Sequence, residues 1–405
     1  MAAAGQRHSR SAVVTVSGTS AARAWPRLAL LWLAGIDLRL TILALPPVLP
    51  LIHRDLDLSE KLVAALTGLP VLLFAIVALP GSLLIARIGA RRALLTGLLL
   101  TALGSAGRGL GPSTPMLFAM TFIMGAGISI MQPALPSLVS DWFEAKAGLA
   151  TAVYANGLLV GEILAAGLTL PLVLPLVGGS WPASFAVWAV PVLATAVLIA
   201  LATPNRPPLP GIAGRLWWPD WRDPQTWQVG LILGGGSSIY FAANAFIPDY
   251  LHATGADELI GACLTSLNLG QLPASFLVMG FPERVTGKKG PLVALSLVSL
   301  GGLGMILQPL PWVQILGAGI LGFAAAFGLI LTLALPPVLA AAADVHRLSA
   351  GMFAIGYLTA FIIPLLGGVA WDATAVPATA FLPIVLGAAM VLAVASRLRP
   401  HRLMA

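Results

Sequence analysis

Apolar residues run along this chain in long blocks, broken by short polar intervals. Twelve blocks stand out, at about 28–50, 62–84, 92–110, 115–139, 149–175, 181–202, 228–251, 259–281, 291–309, 312–340, 350–371 and 377–396. Each is long enough to cross a ~30 Å hydrocarbon layer as a helix. Gly and Pro are frequent inside them, and membrane helices tolerate both better than soluble helices do. Only short Pro-containing turns separate the third block from the fourth and the ninth from the tenth. The pattern predicts an all-α membrane protein with twelve transmembrane helices.

The longest polar interval within the chain is PNRPPLPGIAGRLWWPDWRDPQ, 204–225. It divides the blocks six and six. The organisation expected is a basic tail at 1–27, a first six-helix bundle at 28–203, a linker at 204–227, a second bundle at 228–397 and a tail at 398–405. Trp217, Trp218 and Trp221 fit headgroup-level anchors. The halves repeat. Arg87, Arg91 and Arg92 after the second block recur as Arg284, Lys288 and Lys289 after the eighth, each 197 residues on. ALP at 134–136 recurs at 334–336, and Ala147, Gly148 and Tyr154 recur 203 residues on as Ala350, Gly351 and Tyr357. Three matches in one order indicate two related bundles in parallel, as in transporters whose halves rock about a central site.

Composition fits this reading. Hydrophobic residues are 58% and charged residues 9%, against about 25% charged in a soluble domain. The net charge of +7 does not imply a nucleic-acid partner, because its distribution across the membrane carries the information. With both termini inside, 18 of the 22 Lys and Arg residues fall on the cytoplasmic side, while Arg54, Lys61 and Arg108 face out. That asymmetry is the positive-inside bias. Cys263 is the single cysteine, so no intrachain disulfide forms. No motif for zinc, calcium or dinucleotides occurs, and no metal or cofactor is expected.

The stretch GIDLRLTILALPPVLP, 35–50, places Asp37 and Arg39 inside an apolar block. Arg39 lies roughly 16 Å along it, near mid-membrane. A charge at that depth costs on the order of 3 kcal/mol if left to lipid, so Arg39 faces the bundle interior or a wet cavity. Two uses remain open: contact with a substrate, for which a planar guanidinium suits small anions, or a structural ion pair with Asp37 or Glu162. Asp37 lies about 200° around the helix from Arg39 and points elsewhere. Glu162 is the other acid deep in an apolar block. All five histidines fall in predicted tails or loops, so Glu162 and Asp37 are the candidates for carrying a coupled proton. Gln132, Tyr154, Asn156, Tyr240, Asn244, Asn268 and Gln271 are uncharged polar residues at depth. Helix-to-helix hydrogen bonding is their default use. Of them, Gln132, Asn244, Tyr240 and Asn268 are taken as substrate-binding candidates. Gly234, Gly235 and Gly236 permit close approach or a bend, and no P-loop lysine follows them.

Twelve spans, a six-plus-six repeat and a basic loop after the second span resemble the major facilitator superfamily. Its loop pattern is G-x-x-x-D-R-x-G-R-R, and SLLIARIGAR at 82–91 keeps Arg87, Gly89 and Arg91, with Ser82 for the glycine and Ala86 for the acid. Within the superfamily the chain is similar to the cyanate and nitroimidazole permeases. Their first helix carries N-L-R-P and an apolar run ending L-L-P, and here DLRL precedes ILALPPVLP. Their F-P-x-R-x-G-x-x-T is matched by Phe143, Lys146, Gly148 and Thr151, and span eleven reads GYLTAFIIPLLGGVAWDAT. The resemblance implies the major facilitator fold, a place for Arg39 in the substrate site, and a gate at Arg87, Gly89 and Arg91. It also raises spans four and seven, with Gln132 and Asn244, as borders of the cavity.

The expectation is a multi-pass secondary transporter of the cytoplasmic membrane, not an enzyme. It would move a small polar or anionic solute by alternating access, with protons as a candidate coupling ion and lipid as its surroundings. A monomer is expected. Alternatives are a proton-driven exporter of small organic compounds, and a receptor or membrane enzyme without transport. The second would need a buried His, Cys or metal cluster, or a sizeable soluble domain.

Overall fold

A computed structural model describes residues 21–111, 113–203 and 216–398. Most of these residues are helical, and no strand occurs among them. Ten stretches among them are long and apolar enough to cross a membrane. One of these, Thr114–Leu176, is 63 residues long and contains two helices that reverse at a 3-10 turn, Glu144–Lys146. Split there, and with Ala90–Gly107 added, the described chain runs as twelve rods.

In the first half these are α1 (Ala21–Leu43, resumed as Leu45–Leu56), α2 (Glu60–Ile88), α3 (Ala90–Gly107) and α4 (Thr114–Phe143). They are followed by α5 (Ala147–Leu168) and α6 (Trp181–Ala202). The second half holds α7 (Pro224–Ala253), α8 (Ile260–Leu269, resumed as Gln271–Gly280) and α9 (Lys289–Ile306). It continues with α10 (Pro311–Leu333, resumed as Leu335–Leu339), α11 (Val345–Thr374) and α12 (Leu382–Arg397).

Proline sits at each interruption. Pro46 and Pro47 follow the break in α1, and Pro336 and Pro337 the break in α10; both lie in the same six residues, ALPPVL. Pro273 follows the break in α8, and Pro171 lies in the π-turn Thr169–Val173 that extends α5. A proline has no N–H to donate four residues back, so the helical ladder lapses or widens at that point.

Several boundaries differ from the sequence reading. Helix α1 already includes Ala21, the first described residue, inside the expected tail, and α7 begins at Pro224, inside the expected linker. The Asp223 carboxylate accepts from the Gln225 N–H at 2.9 Å and Pro224 opens the helix, a capping arrangement that starts α7 early. His53, His252 and His346 lie on helices rather than in loops, and His346 is buried in the first turn of α11. His8, His401 and most of the two tails lie outside the described residues.

Arg108 departs furthest from expectation. Instead of facing out, it is fully buried at the end of α3. Its Nη2 donates to the Thr41 carbonyl at 2.8 Å, and its Cζ stands 4.0 Å from the centre of the Phe185 ring. A cation over an aromatic face, donating to the last turn before a helix break, replaces part of the hydration it loses.

Buried apolar side chains form three clusters. One draws on both halves, from Leu28–Leu38 of α1 through Phe353 and Tyr357 of α11, and lies at the end where the linker joins α6 to α7. At the opposite end there are two separate clusters. One belongs to α7–α12 and the other to α1–α6. The halves therefore share a core at the linker end and part toward the other.

Candidate functional site

The site is built on the seam between α1 and α5. A Cβ on Gly35 would overlap the Tyr154 carbonyl, one on Gly157 the Trp32 carbonyl, and one on Gly161 the Ile36 carbonyl. Only hydrogen at these positions lets the two backbones come this close. The close approach brings Arg39 of α1 and Glu162 of α5 together, with Nε to Oε1 at 3.3 Å and side chains 13% and 14% exposed.

The pair is incompletely satisfied. Arg39 Nε has no aligned hydrogen-bond acceptor among the described residues. The Arg39 guanidinium lies 5.7 Å from the Phe74 ring of α2, and the Tyr357 hydroxyl of α11 is within hydrogen-bonding reach. Phe74 and Tyr357 pack against each other across the two halves, with ring centres 5.1 Å apart.

Arg39 and Glu162 form one wall of a cavity that spans about 400 Å³ when the open space it runs into is included. The facing walls come from α7, α8 and α10, and include Ser237, Tyr240, Gln271 and Leu329. Tyr240 donates its hydroxyl to Asn268 Oδ1 at 2.9 Å, and Gln271 Nε2 donates to the same oxygen at 3.2 Å. Asn268 in turn donates to the Leu264 carbonyl at 2.8 Å. It therefore stands behind the wall and fixes the two side chains that face the space. The arrangement is an ion pair and a short polar network in an otherwise apolar chamber between the halves. It can take a small solute that offers acceptors to the guanidinium.

The other candidates from the sequence are placed differently. Asn244 donates to the Tyr240 carbonyl of its own helix at 3.0 Å and does not line the cavity. Gln132 is buried in α4 and does not line it either. Asp37 is buried with its carboxyl next to Thr195 of α6, on the side of α1 away from Arg39, as its helical angle predicts. Sequence reasoning met Tyr357 only as a member of the internal repeat and passed over Phe74 and Ser237, because a Phe or Ser within an apolar block carries no pattern of its own. The three glycines of α7 act separately. Gly234 meets Thr359 of α11 and Gly235 meets the Gly387 carbonyl of α12, while a Cβ on Gly236 would point into open space.

At the linker end, polar contacts tie the halves and the linker together. Asn156 of α5 accepts from Trp32 Nε1 at 2.8 Å and donates to Ser275 Oγ of α8 at 2.9 Å. Gly148, in the first turn of α5, lies against Thr286 beyond α8. Ser82 donates to the Trp217 carbonyl at 2.7 Å, and Arg347 to the Trp218 carbonyl at 3.0 Å. Arg91 donates to Thr203 Oγ1 at 2.7 Å and to the Ala200 carbonyl at 2.8 Å, which closes the end of α6 within its own half. Arg87 is exposed, and Gly89 takes a φ of +85° between α2 and α3.

Three relatives are each 28% identical to this chain. An uncharacterized transporter, YycB of Bacillus subtilis (strain 168), aligns over 344 residues, 84% of this chain and 85% of its own length. The cyanate transport protein CynX of Escherichia coli (strain K12) aligns over 359 residues, 84% and 89%. The 2-nitroimidazole transporter of the same strain aligns over 354 residues, 83% and 86%. In fold, the chain superposes on the transporter FucP in its outward conformation with a TM-score of 0.73 at 16% identity, covering 91% of this chain and 98% of FucP. The profile of the Major Facilitator Superfamily matches residues 31–253. Twelve rods in two halves, a polar cavity between them and this match together place the chain among membrane transporters, not enzymes: it belongs to the Major Facilitator Superfamily.

Proposed function

We propose that this transporter carries a small polar or anionic solute by alternating access, with Arg39 in contact with the substrate. The observation that carries this reading is the Arg39–Glu162 pair on the wall of the cavity between the halves. Its guanidinium side chain lines that cavity and keeps 13% of its surface exposed, where an anion can meet it. A charge-assisted bidentate contact is worth about 1.5–3 kcal/mol, or one to two powers of ten in affinity. Relatives named for cyanate and for 2-nitroimidazole support a substrate of this size and polarity.

The basic bias of the sequence supports a plasma-membrane protein with both termini and the linker in the cytoplasm. In that orientation the shared core closes the cytoplasmic end and the parted end faces outward. Arg87, Gly89 and Arg91 then form a cytoplasmic clamp, and the protein works as a monomer. Glu162 is the proton carrier if transport is coupled: Glu162→Gln then abolishes uptake driven by a pH gradient but leaves exchange of preloaded substrate.

The test is a thermal-shift screen of detergent-purified protein against small anions and nitroheterocycles, since a ligand of the folded state raises its melting temperature. Arg39→Lys keeps the charge but loses the fork, so it weakens binding, and Arg39→Gln weakens it further while the protein stays folded. A destabilised Arg39→Gln with normal affinity, whose stability returns when Glu162→Gln is added, would instead assign the pair a structural role.

A further inference from the structure

A second cavity opens beside the first. It lies within the second half, between α7, α9, α10 and α12, and spans about 380 Å³ when the open space it runs into is included. The two cavities share Gly236, Ser237, Ala325 and Leu329 as wall. They are therefore neighbouring chambers on either side of the α7–α10 seam. Their chemistry differs. The first has the ion pair, Tyr240 and Gln271, while the second is walled by residues such as Leu233, Leu292, Leu295 and Val391. Apart from Ser237 on the shared wall, its hydroxyl groups are spent within their own helices. Ser296 donates to the Leu292 carbonyl at 3.2 Å, Ser299 to the Leu295 carbonyl at 2.8 Å, and Thr332 to the Gly328 carbonyl at 2.7 Å. They offer a ligand carbon surface, not donors.

Two glycines keep this space open. A Cβ on Gly236 would meet nothing within 4 Å, and one on Gly328 would meet only Leu295 Cδ1, at 4.0 Å. Elsewhere in the same helices glycine permits close packing: Gly235 lies against Gly387, and Gly322 against the Leu267 carbonyl. At Gly236 and Gly328 no backbone needs the room. An apolar void forfeits the contacts its walls could make, and an apolar group seated in it restores them.

We propose that the substrate is an organic anion, with its charged head at Arg39 and a short apolar body, a small alkyl chain or ring, passing between α7 and α10 into this second chamber. This rests on the reading of Arg39 as a substrate contact and adds the class of molecule. Ser237 stands at the junction, where head and body meet. A bare inorganic anion uses only the first chamber.

The experiment measures binding of formate, acetate, butyrate and hexanoate to the full-length protein in detergent by titration calorimetry. Affinity should rise about fourfold for each methylene buried, until the chamber is full. Gly328→Leu fills the chamber, so it should lower hexanoate affinity at least tenfold while acetate shifts less than twofold. Gly328→Ala, which adds one methyl at ordinary contact distance, should give a smaller loss with the same selectivity should the leucine variant misfold. Arg39→Gln should weaken all four ligands alike. Acetate binding that depends on Arg39, with no gain along the series or a gain that survives both Gly328 variants, overturns the organic-anion proposal and leaves the Arg39 reading intact. Binding of none of the four, or binding that ignores Arg39→Gln, overturns both.

Discussion

The α1–α5 seam makes a sharp prediction about Gly161→Ala. Gly161 adjoins Glu162 in sequence and lies against Ile36, three residues before Arg39. A new methyl overlaps the Ile36 carbonyl and comes within 3.0 Å of the carbonyl carbon and of Cα. Carbon atoms rest at about 3.5–4.0 Å from one another, so α1 and α5 must part locally by about 0.5–1 Å. The Arg39–Glu162 gap of 3.3 Å then opens to about 4 Å, where a direct ion pair is lost. Overpacking of this kind costs about 1–3 kcal/mol. Gly167→Ala is the control: it lies on the same helix, is exposed, and has nothing within 4 Å of a Cβ. It should be neutral or gain up to about 1 kcal/mol from helix propensity. Melting followed by tryptophan fluorescence, together with anion affinity, reads both consequences. If Gly161→Ala melts like Gly167→Ala, the packing argument fails. If it melts lower but binds anions normally, the spacing of the pair is not what the site uses.

Other consequences can be checked in parallel. Asn156→Ala removes a bridge between α5 and α8 that must break whenever the linker end opens; in a Cys263→Ala background, a cysteine at Leu272 or Val278 should label faster, and unchanged labelling would remove Asn156 from the clamp. Arg108→Ala should destabilise by about 2–4 kcal/mol, since it empties a fully buried site and orphans the Thr41 carbonyl, whereas Arg108→Met should recover much of that in the same melting assay. Arg87→Ala should slow transport with little change in affinity, while Arg91→Ala should lower the melting temperature, because Arg91 closes the end of α6; a large affinity loss with normal turnover in Arg87→Ala would contradict the clamp. Compartment reporters fused at residues 5, 215 and 403 should all read cytoplasmic, and an external signal at 215 would break the orientation.

Some of the site was legible in the sequence alone. Arg39 could not face lipid at its depth, and Asp37 could not share its face at two residues' separation; both hold in the fold. Glu162 was marked by the same depth argument. The partnership between Arg39 and Glu162 stayed one of two options, because they are far apart in sequence and no local pattern joins them. Arg108 shows the limit from the other side. Read as an end-of-span cation, it was put at the surface, yet it sits under α1 and α6 against Phe185. Nothing in its neighbours GRGLG announces burial, since the aromatic ring and carbonyl that receive it come from other helices.

The sequence by itself determined that the chain runs as apolar rods and that prolines recur within them. It also set which end carries the basic charge and which polar residues lie too deep to be left to lipid. These follow from transfer energies and backbone chemistry, which act residue by residue. Only the tertiary structure decided which faces meet. A helix that is apolar all round has no stripe to name its partner, so the choice falls to shape. Hydrogen in place of a side chain at Gly35, Gly157 and Gly161 brings α1 against α5, and open space beside Gly236 and Gly328 leaves a second chamber next to the first. A one-letter glycine is the same symbol in both settings, and only the neighbouring backbone separates close packing from an empty wall.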